Sequence, residues 1–155
     1  MKNVTTKDLK IASIVIGFVA TLMIFLPALS LSANGSANTY TGLQVVFGHE
    51  FFDLGGFGSG EIRFCLLNLI AYSLPLLAAL SLMFTKAGHI VSTIMFAVAA
   101  ILLFLVIEFT VVTVTIGDVV TEIDIDWNYA IGLILAAVLS ILGFVVGVLS
   151  VSKKA

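Results

Sequence analysis

The chain has 155 residues, of which 61% are hydrophobic and 10% are charged, with a mean hydropathy of +1.23 and a net charge of −2. Since roughly a quarter of the residues in soluble domains are charged, this composition excludes an ordinary soluble domain and predicts an integral membrane protein. The length predicts a single domain over residues 1–155, and the lone Cys65 excludes an internal disulfide framework.

The first membrane crossing is predicted at about residues 8–28. Thr5 and Asp8 have the spacing of a capping box, which predicts that the helix begins near Thr6. The apolar run over residues 11–29 supplies about the 20 residues needed to cross a hydrocarbon core of ~30 Å.

A cleaved signal peptide is the alternative account of this first segment. Ser30-Leu31-Ser32 has the small-x-small spacing of a processing site. The apolar run is longer than a usual signal core, which favours a retained helix. Pro27 is expected to weaken that helix near its far end.

Residues 29–61 form the longest polar stretch and are predicted to be an outer loop that contains strands. Asn34-Gly35 is a strong hairpin signal, because both residues tolerate positive φ. Residues 39–47 supply β-branched and aromatic side chains for a returning strand. The glycine-rich end of the loop is predicted to expose three candidate contacts for a partner or for lipid, namely Phe51, Phe52 and Phe57.

The second crossing is predicted at about residues 62–84, with Ser59 and Glu61 in capping positions and Pro75 inside the helix. Residues 85–89 are too few for anything but a tight reversal. The second and third helices are therefore predicted to be antiparallel neighbours.

The third crossing is predicted at about residues 88–112, although a helix continuing to Ile116 is the alternative. Residues 113–126 alternate in the manner of strands, with Gly117-Asp118 as the turn, and form the second outer loop. Their strands are expected to pair with those of the first loop in one small sheet. The last crossing is predicted at about residues 127–151.

The charged residues predict the orientation. By the positive-inside rule both termini are expected to be cytoplasmic, because six of the seven lysine and arginine residues fall on their side. These six are Lys2, Lys7, Lys10, Lys86, Lys153 and Lys154. The opposite side holds Arg63 and seven of the nine acidic residues, which are Glu50, Asp53, Glu61, Asp118, Glu122, Asp124 and Asp126.

Glu108 is the only acidic residue within an apolar run, which makes it a candidate for a polar intramembrane site. A helix that continues to Ile116 would bring it near Asn68 or Tyr72. A helix that ends near residue 112 would leave it within reach of water or Arg63. An interfacial or structural role and an ion or proton pathway remain alternatives.

Glu122, Asp124 and Asp126 are spaced by two, so on a strand their carboxylates would point the same way. Such a patch would hold a cation or attract a basic partner. A hard cation needs six or more oxygen ligands, however, and no recognised loop spacing supplies them. A solvated strand face is the alternative, and no metal site is assigned.

Small residues form a seam along the last helix. Gly132, Ala136, Ser140, Gly143 and Gly147 recur at helical spacing, which lets helix backbones approach closely in lipid. Packing within this chain is the first interpretation, and a contact with another subunit is the second.

Catalysis has little support in the sequence. His49, Glu50 and Asp53 are the only cluster that suggests acid–base or metal chemistry, and no nucleophile lies beside a base. The chain is therefore predicted not to be an enzyme and to use no cofactor.

The layout of four helices, a longer first outer loop and a shorter second outer loop resembles the claudin-type superfamily. The claudin first-loop motif is absent, since residues 29–61 contain no Trp or Cys and Gly42-Leu43 is followed by Gln44. The stretch from Tyr40 to Gly48 is similar to a pattern in small uncharacterised four-helix membrane proteins of Gram-positive bacteria and their wall-less relatives. That resemblance implies a bacterial plasma membrane and nominates no activity.

The sequence thus predicts a four-transmembrane-helix antiparallel bundle with a small extracytoplasmic β-sheet formed by the two outer loops. We expect a binding or accessory protein whose partners are membrane lipid, another membrane protein or a second copy, without nucleic acid. The first alternative is a small transporter or channel component that uses Glu108. The second is a membrane enzyme acting on lipid or envelope precursors.

Overall fold

The structure, a computed structural model, describes residues 5–33, 36–84 and 87–153 and is mainly helical with two small sheets. Within these residues, three helical segments are long and apolar enough to cross a bilayer, namely Thr6–Phe25, Leu66–Phe84 and Ile131–Ser152. The helices are α1 (Thr6–Leu22), α2 (Gly42–Phe47), α3 (Leu66–Phe84), α4 (Gly88–Phe104), α5 (Val106–Phe109) and α6 (Ile131–Ser152). The strands are β1 (Pro27–Ala33), β2 (Ser36–Thr41), β3 (His49–Asp53), β4 (Ser59–Ile62), β5 (Val112–Ile116), β6 (Val119–Ile123) and β7 (Asn128–Tyr129).

The predicted capping box is present at the start of α1. The backbone N–H of Thr5 donates to the Asp8 carboxylate at 2.8 Å, and the Thr5 hydroxyl accepts from the backbone N–H of Asp8 at 3.3 Å. The helix ends earlier than expected, at Leu22, and one 3₁₀ turn follows it. Pro27 opens β1, which suits a residue without a backbone donor at the first position of a strand.

The four longer helices pack as a closed ring. Helix α1 contacts α3 and α6, and α4 contacts the same two helices. At one end of the ring, the side chains of His89 and Ser150 lie 2.7 Å apart and join the start of α4 to the end of α6. Both sheets lie at the other end, because every strand belongs to one of the two segments that connect the opposite helix ends.

The small-residue seam packs against neighbouring segments of the same chain. All five of its residues are buried in α6. A Cβ atom on Gly143 would meet the ring of Phe96 in α4 at 2.6 Å, and one on Gly147 would meet the side chain of Thr93. At Gly132 the added atom would meet the Pro27 carbonyl oxygen at 2.7 Å. The seam therefore lets α6 approach α4 and the start of β1.

The strands form two sheets instead of the single sheet that we predicted. One has the order β2-β1-β7 and the other has the order β3-β4-β5-β6. The four-stranded sheet combines strands from both polar segments, as expected, whereas β7 of the other sheet lies within the predicted last crossing, because α6 begins only at Ile131. The Asn34-Gly35 turn lies outside the described residues, and the backbones of β1 and β2 on either side of it pair antiparallel.

Helix α2 is the reason for the division into two sheets. We expected a strand over residues 39–47, but this strand ends at Thr41, where a second capping box opens the helix. The backbone N–H of Thr41 donates to the Gln44 side chain at 2.9 Å, and the Thr41 hydroxyl accepts from the Gln44 N–H at 3.4 Å. The chain leaves the helix at Gly48, whose φ of +93° favours glycine. The segment after Gly48 therefore starts a separate sheet.

Two other boundaries differ from expectation. Ser59 and Glu61 lie in β4 and do not cap a helix, because α3 begins only at Leu66. Helix α4 ends at Phe104, before either of the two ends that we considered, and the short α5 follows. The predicted turn at Gly117-Asp118 is present and joins β5 to β6, with φ of +60° at Gly117.

The main hydrophobic core lies where the sheets meet the helices. It contains Tyr72 of α3, Leu103 of α4 and Leu133 of α6, together with residues of both sheets. Tyr40 of β2 packs edge-on against Trp127, with ring centroids 5.5 Å apart. The sheets are therefore anchored on the helices.

Candidate binding surface

Four exposed apolar side chains lie at the end of the four-stranded sheet that is farthest from the helices. We call them the tip patch: Leu54, Phe57, Ile116 and Val119, whose exposed fractions are 65%, 84%, 67% and 65%. Gly58 joins the two turns, since a Cβ atom there would lie 2.8 Å from the Thr115 carbonyl oxygen and 3.8 Å from Ile116. The turn of the β3–β4 hairpin therefore sits beside the turn of the β5–β6 hairpin.

The three phenylalanines that were predicted to be exposed differ in their exposure. Phe57 belongs to the tip patch, and Phe52 is 37% exposed. Phe51 is instead half-buried and packs against the core, with its ring centroid 6.5 Å from that of Tyr40. Both the Phe51 and the Phe52 rings lie over Gly60 of the neighbouring strand, where a side chain would collide with them. Phe51 thus supports the hairpin and is not an exposed contact.

A row of carboxylates crosses one face of the four-stranded sheet. Glu50 is paired with Glu61, Glu61 with Thr113, and Thr113 with Glu122. Residues that are directly opposite each other point to the same face, so the three carboxylates share it with one hydroxyl. Like charges directly opposite each other destabilise a sheet, and this face therefore attracts cations or a cationic partner.

Arg63 is the cation that the structure places at this row. Its guanidinium lies 3.5 Å from the Glu122 carboxylate, and both side chains are more than half exposed. Such a pair contributes at most about 1 kcal/mol to stability. It leaves Glu50 and Glu61 without a cationic partner among the described residues.

A groove of about 580 Å³ opens between α5 and the segment that follows β6. Four carboxylates line it, namely Glu108, Glu122, Asp124 and Asp126. Only Glu122 belongs to a strand, because β6 ends at Ile123, so the prediction that the three later acids alternate along one strand is wrong. They nevertheless converge on one groove, where Glu108 joins them.

The predicted polar intramembrane site does not assemble. Glu108 is exposed in the groove, and no hydrogen bond or ion pair in the described part of the chain joins it to Asn68, Tyr72 or Arg63. Asn68 is fully buried and donates to the Thr110 hydroxyl at 3.1 Å and to the Val45 carbonyl at 3.4 Å. The early end of α4 is the reason, since it carries Glu108 out of the helix ring.

The residues that suggested acid–base chemistry are also apart. His49 and Glu50 are successive residues of β3 and point to opposite faces. The His49 ring lies 3.3 Å from the Gln44 amide, and the Asp53 carboxylate accepts from the backbone N–H of Gly55 at 2.7 Å. No three of the described His, Cys, Asp and Glu side chains lie close enough together to hold a metal ion.

Of the four residues of the tip patch, only Phe57 was predicted from the sequence. Leu54, Ile116 and Val119 flank turns, and their apolar character next to turn residues was the available signal. Their proximity was not predictable from the sequence, because it depends on the pairing of β4 with β5.

Comparison with known proteins places this chain in no family. No family model, no curated protein and no solved structure matches it. The claudin-like layout and the resemblance to small bacterial membrane proteins therefore receive no support from these comparisons.

Proposed function

We propose that the chain is a four-helix plasma-membrane protein that presents its two sheets on the outer side of the membrane and binds another protein there. The tip patch carries this proposal. Soluble protein surfaces rarely expose several large apolar side chains close together without a partner, and the two neighbouring turns bring these four to one end of the sheet, away from the helices.

In a four-helix protein of this kind, α4 would be the fourth crossing. Its 17 residues span about 25 Å, somewhat less than the hydrocarbon core of ~30 Å. The apolar segment continues through α5 to Phe109, and Glu108 at its end lies exposed. The outer face of α4 is apolar along its length, with the exposed residues Ile90, Ile94, Val98, Ile101 and Phe104. A bilayer would cover such a face.

The distribution of cations supports the orientation. Lys7, Lys10 and Lys153 belong to the helix ends opposite the sheets, and Arg63 lies at the sheet end. By the positive-inside rule the termini would be cytoplasmic and the sheets outside. The acidic face of the four-stranded sheet, which carries Glu50, Glu61 and Glu122, would then lie outside the cell.

Binding has more support from the structure than transport or catalysis. Transport would require Glu108 to line a path through the helices, whereas it lies exposed in the groove beside three other acids. Catalysis would require a base beside a nucleophile, and His49 is held by Gln44 instead.

Photo-crosslinking from the tip patch tests the proposal. A photoreactive phenylalanine analogue at Phe57 of the full chain, in its native membrane, is expected to form an adduct with one defined protein, identified by mass spectrometry. The same analogue at Ile141, an exposed residue on α6, is the matched control and is expected to react with lipid. Adducts with lipid alone at Phe57, Leu54 and Val119 would contradict a protein partner.

A further inference from the structure

Strand β6 is the outermost strand of its sheet, and its outer edge is open. All five of its residues, Val119–Ile123, are exposed, and no strand in the described part of the chain pairs with its outer side. β3, the strand at the opposite edge, has a register shift between Glu50 and Phe52, whereas the pairing of β5 with β6 is regular. β6 also carries no lysine or proline. It therefore lacks the lysine, the proline and the bulge that often protect a sheet edge from pairing, and Glu122 is its one charged residue.

The two-residue turn between β5 and β6 determines which backbone groups of β6 point away from β5. Because only Gly117 and Asp118 separate Ile116 from its partner Val119, these two partners form a hydrogen-bonded pair. Hydrogen-bonded and non-hydrogen-bonded pairs then alternate along the hairpin. The N–H and C=O groups of Val120 and Glu122 consequently point away from β5, and they are available to another strand.

The side chains on β6 define the chemistry of such a strand. Val120 and Glu122 lie on the acidic face, and the groove with its four carboxylates begins at Glu122. Val119, Thr121 and Ile123 lie on the opposite face and are uncharged. A strand beside β6 would thus meet carboxylates on one face and apolar or hydroxyl side chains on the other.

A second copy of this chain does not supply the missing charge. Residues 111–126 contain no lysine or arginine, and the Arg63 beside Glu122 is already ion-paired with it, so a second β6 edge would add carboxylates without a free cation. Anionic lipid headgroups would be repelled for the same reason. Charge complementarity therefore selects a basic partner.

We propose that β6 is the docking edge for an extended segment of a partner protein in which basic and apolar side chains alternate. The segment would add a strand to the sheet, with its basic residues toward Glu122 and the groove and its apolar residues beside Thr121 and Ile123. This inference rests on the proposed function, because it names how the partner would bind the sheets.

The probe is an octapeptide in which lysine and valine alternate, added to the full chain in nanodiscs of zwitterionic lipid. Fluorescence anisotropy of the labelled peptide is expected to show saturable binding that weakens with salt. A peptide of the same composition, with all lysines before all valines, and a peptide of alternating glutamate and valine are expected to bind at least tenfold more weakly. Equal binding of the block-ordered peptide would overturn the proposal, because the attraction would then be charge alone.

A proline substitution in β6 tests the edge pairing, and a threonine substitution at the same position is its matched control. Val120→Pro removes an outward N–H at an edge position where proline is tolerated, and Val120→Thr keeps the N–H and the β-branched shape. We expect Val120→Pro to weaken peptide binding at least tenfold and Val120→Thr to change it by less than about twofold. Equal binding by the two variants would overturn the edge as the site.

Hydrogen exchange in the wild-type chain provides a measurement that needs no variant. The amides of Val120 and Glu122 are expected to exchange at least tenfold more slowly with the alternating peptide bound. Unchanged exchange at both amides, or no binding of the alternating peptide up to about 1 mM, would overturn the docking edge. A defined protein adduct at Phe57 together with either result would leave the proposed function standing and reject this mode of binding.

Discussion

The Asn68 side chain in α3 donates a hydrogen bond of 3.1 Å to the hydroxyl of Thr110, the residue that follows α5. Thr110 in turn donates to the Val106 carbonyl at 2.7 Å, and Asn68 also reaches the Val45 carbonyl in α2. Both side chains are buried. The pair therefore fixes the place where the chain leaves α5 and enters the four-stranded sheet.

Replacing Thr110 is expected to loosen this junction. Thr110→Val keeps the shape but removes the hydroxyl. It should reduce the free energy of unfolding by about 1 kcal/mol, because a buried hydrogen bond between helices in a membrane contributes only modestly to stability. Thr110→Ser retains the hydroxyl and is the control for the lost methyl group. Thermal unfolding in detergent measures both variants. A Thr110→Ser variant that loses as much stability as Thr110→Val would remove the hydrogen bond as the cause.

The contact between Gly143 and Phe96 gives a second prediction. Gly143→Ala places a methyl group against the Phe96 ring and should destabilise the chain by about 1–3 kcal/mol. Phe96→Leu replaces that ring with a smaller side chain and should make the double variant more stable than the sum of the two single losses predicts. Unfolding of all three variants measures this coupling. A Gly143→Ala chain of unchanged monomer stability that loses a dimer in native mass spectrometry would instead make the seam a subunit contact.

Two phenylalanines of one hairpin are expected to respond in opposite ways. Phe57→Ser should leave the thermal midpoint nearly unchanged, because the side chain is 84% exposed, and should abolish recovery of the partner from native membranes. Phe51→Ser should lower the midpoint, because that ring packs on the core beside Tyr40. A loss of stability in Phe57→Ser would mean that its effect on binding is indirect.

Glu108 distinguishes binding from transport. We expect proteoliposomes that contain the wild-type chain to show the same proton and cation leak as protein-free vesicles, and Glu108→Gln to leave that leak unchanged. The reason is that Glu108 lies exposed in the groove and not between the helices. A wild-type flux that Glu108→Gln abolishes would favour the transport alternative. Trapped pH-sensitive and potassium-sensitive dyes provide the measurement.

Local signals predicted much of this structure. The Thr5–Asp8 capping box gave the start of α1, and Gly117-Asp118 gave the turn between β5 and β6. Hydropathy identified the three candidate crossings and the shorter α4. These features depend on neighbours within a few residues, which the sequence displays directly.

One feature that we missed was local: residues 42–47 have strand-forming side chains, but the Thr41–Gln44 capping box opens a helix there. The remaining features depend on partners that are distant in the chain. The carboxylate row arises only because β4 pairs with both β3 and β5. Likewise, Glu108 reaches the acidic groove because α4 ends early at Phe104, which no local pattern indicated.

Cysteine accessibility in intact cells tests whether both sheets face the cell exterior. On a Cys65→Ser background, single cysteines would replace Asn38 and Glu122 in the sheets and Ser152 at the end of α6, all exposed positions. We predict that a membrane-impermeant maleimide labels the first two in intact cells and Ser152→Cys only after permeabilisation. If Asn38→Cys and Ser152→Cys were labelled in intact cells while Glu122→Cys was protected, α4 would not cross the membrane, and the outward presentation of both sheets would be wrong.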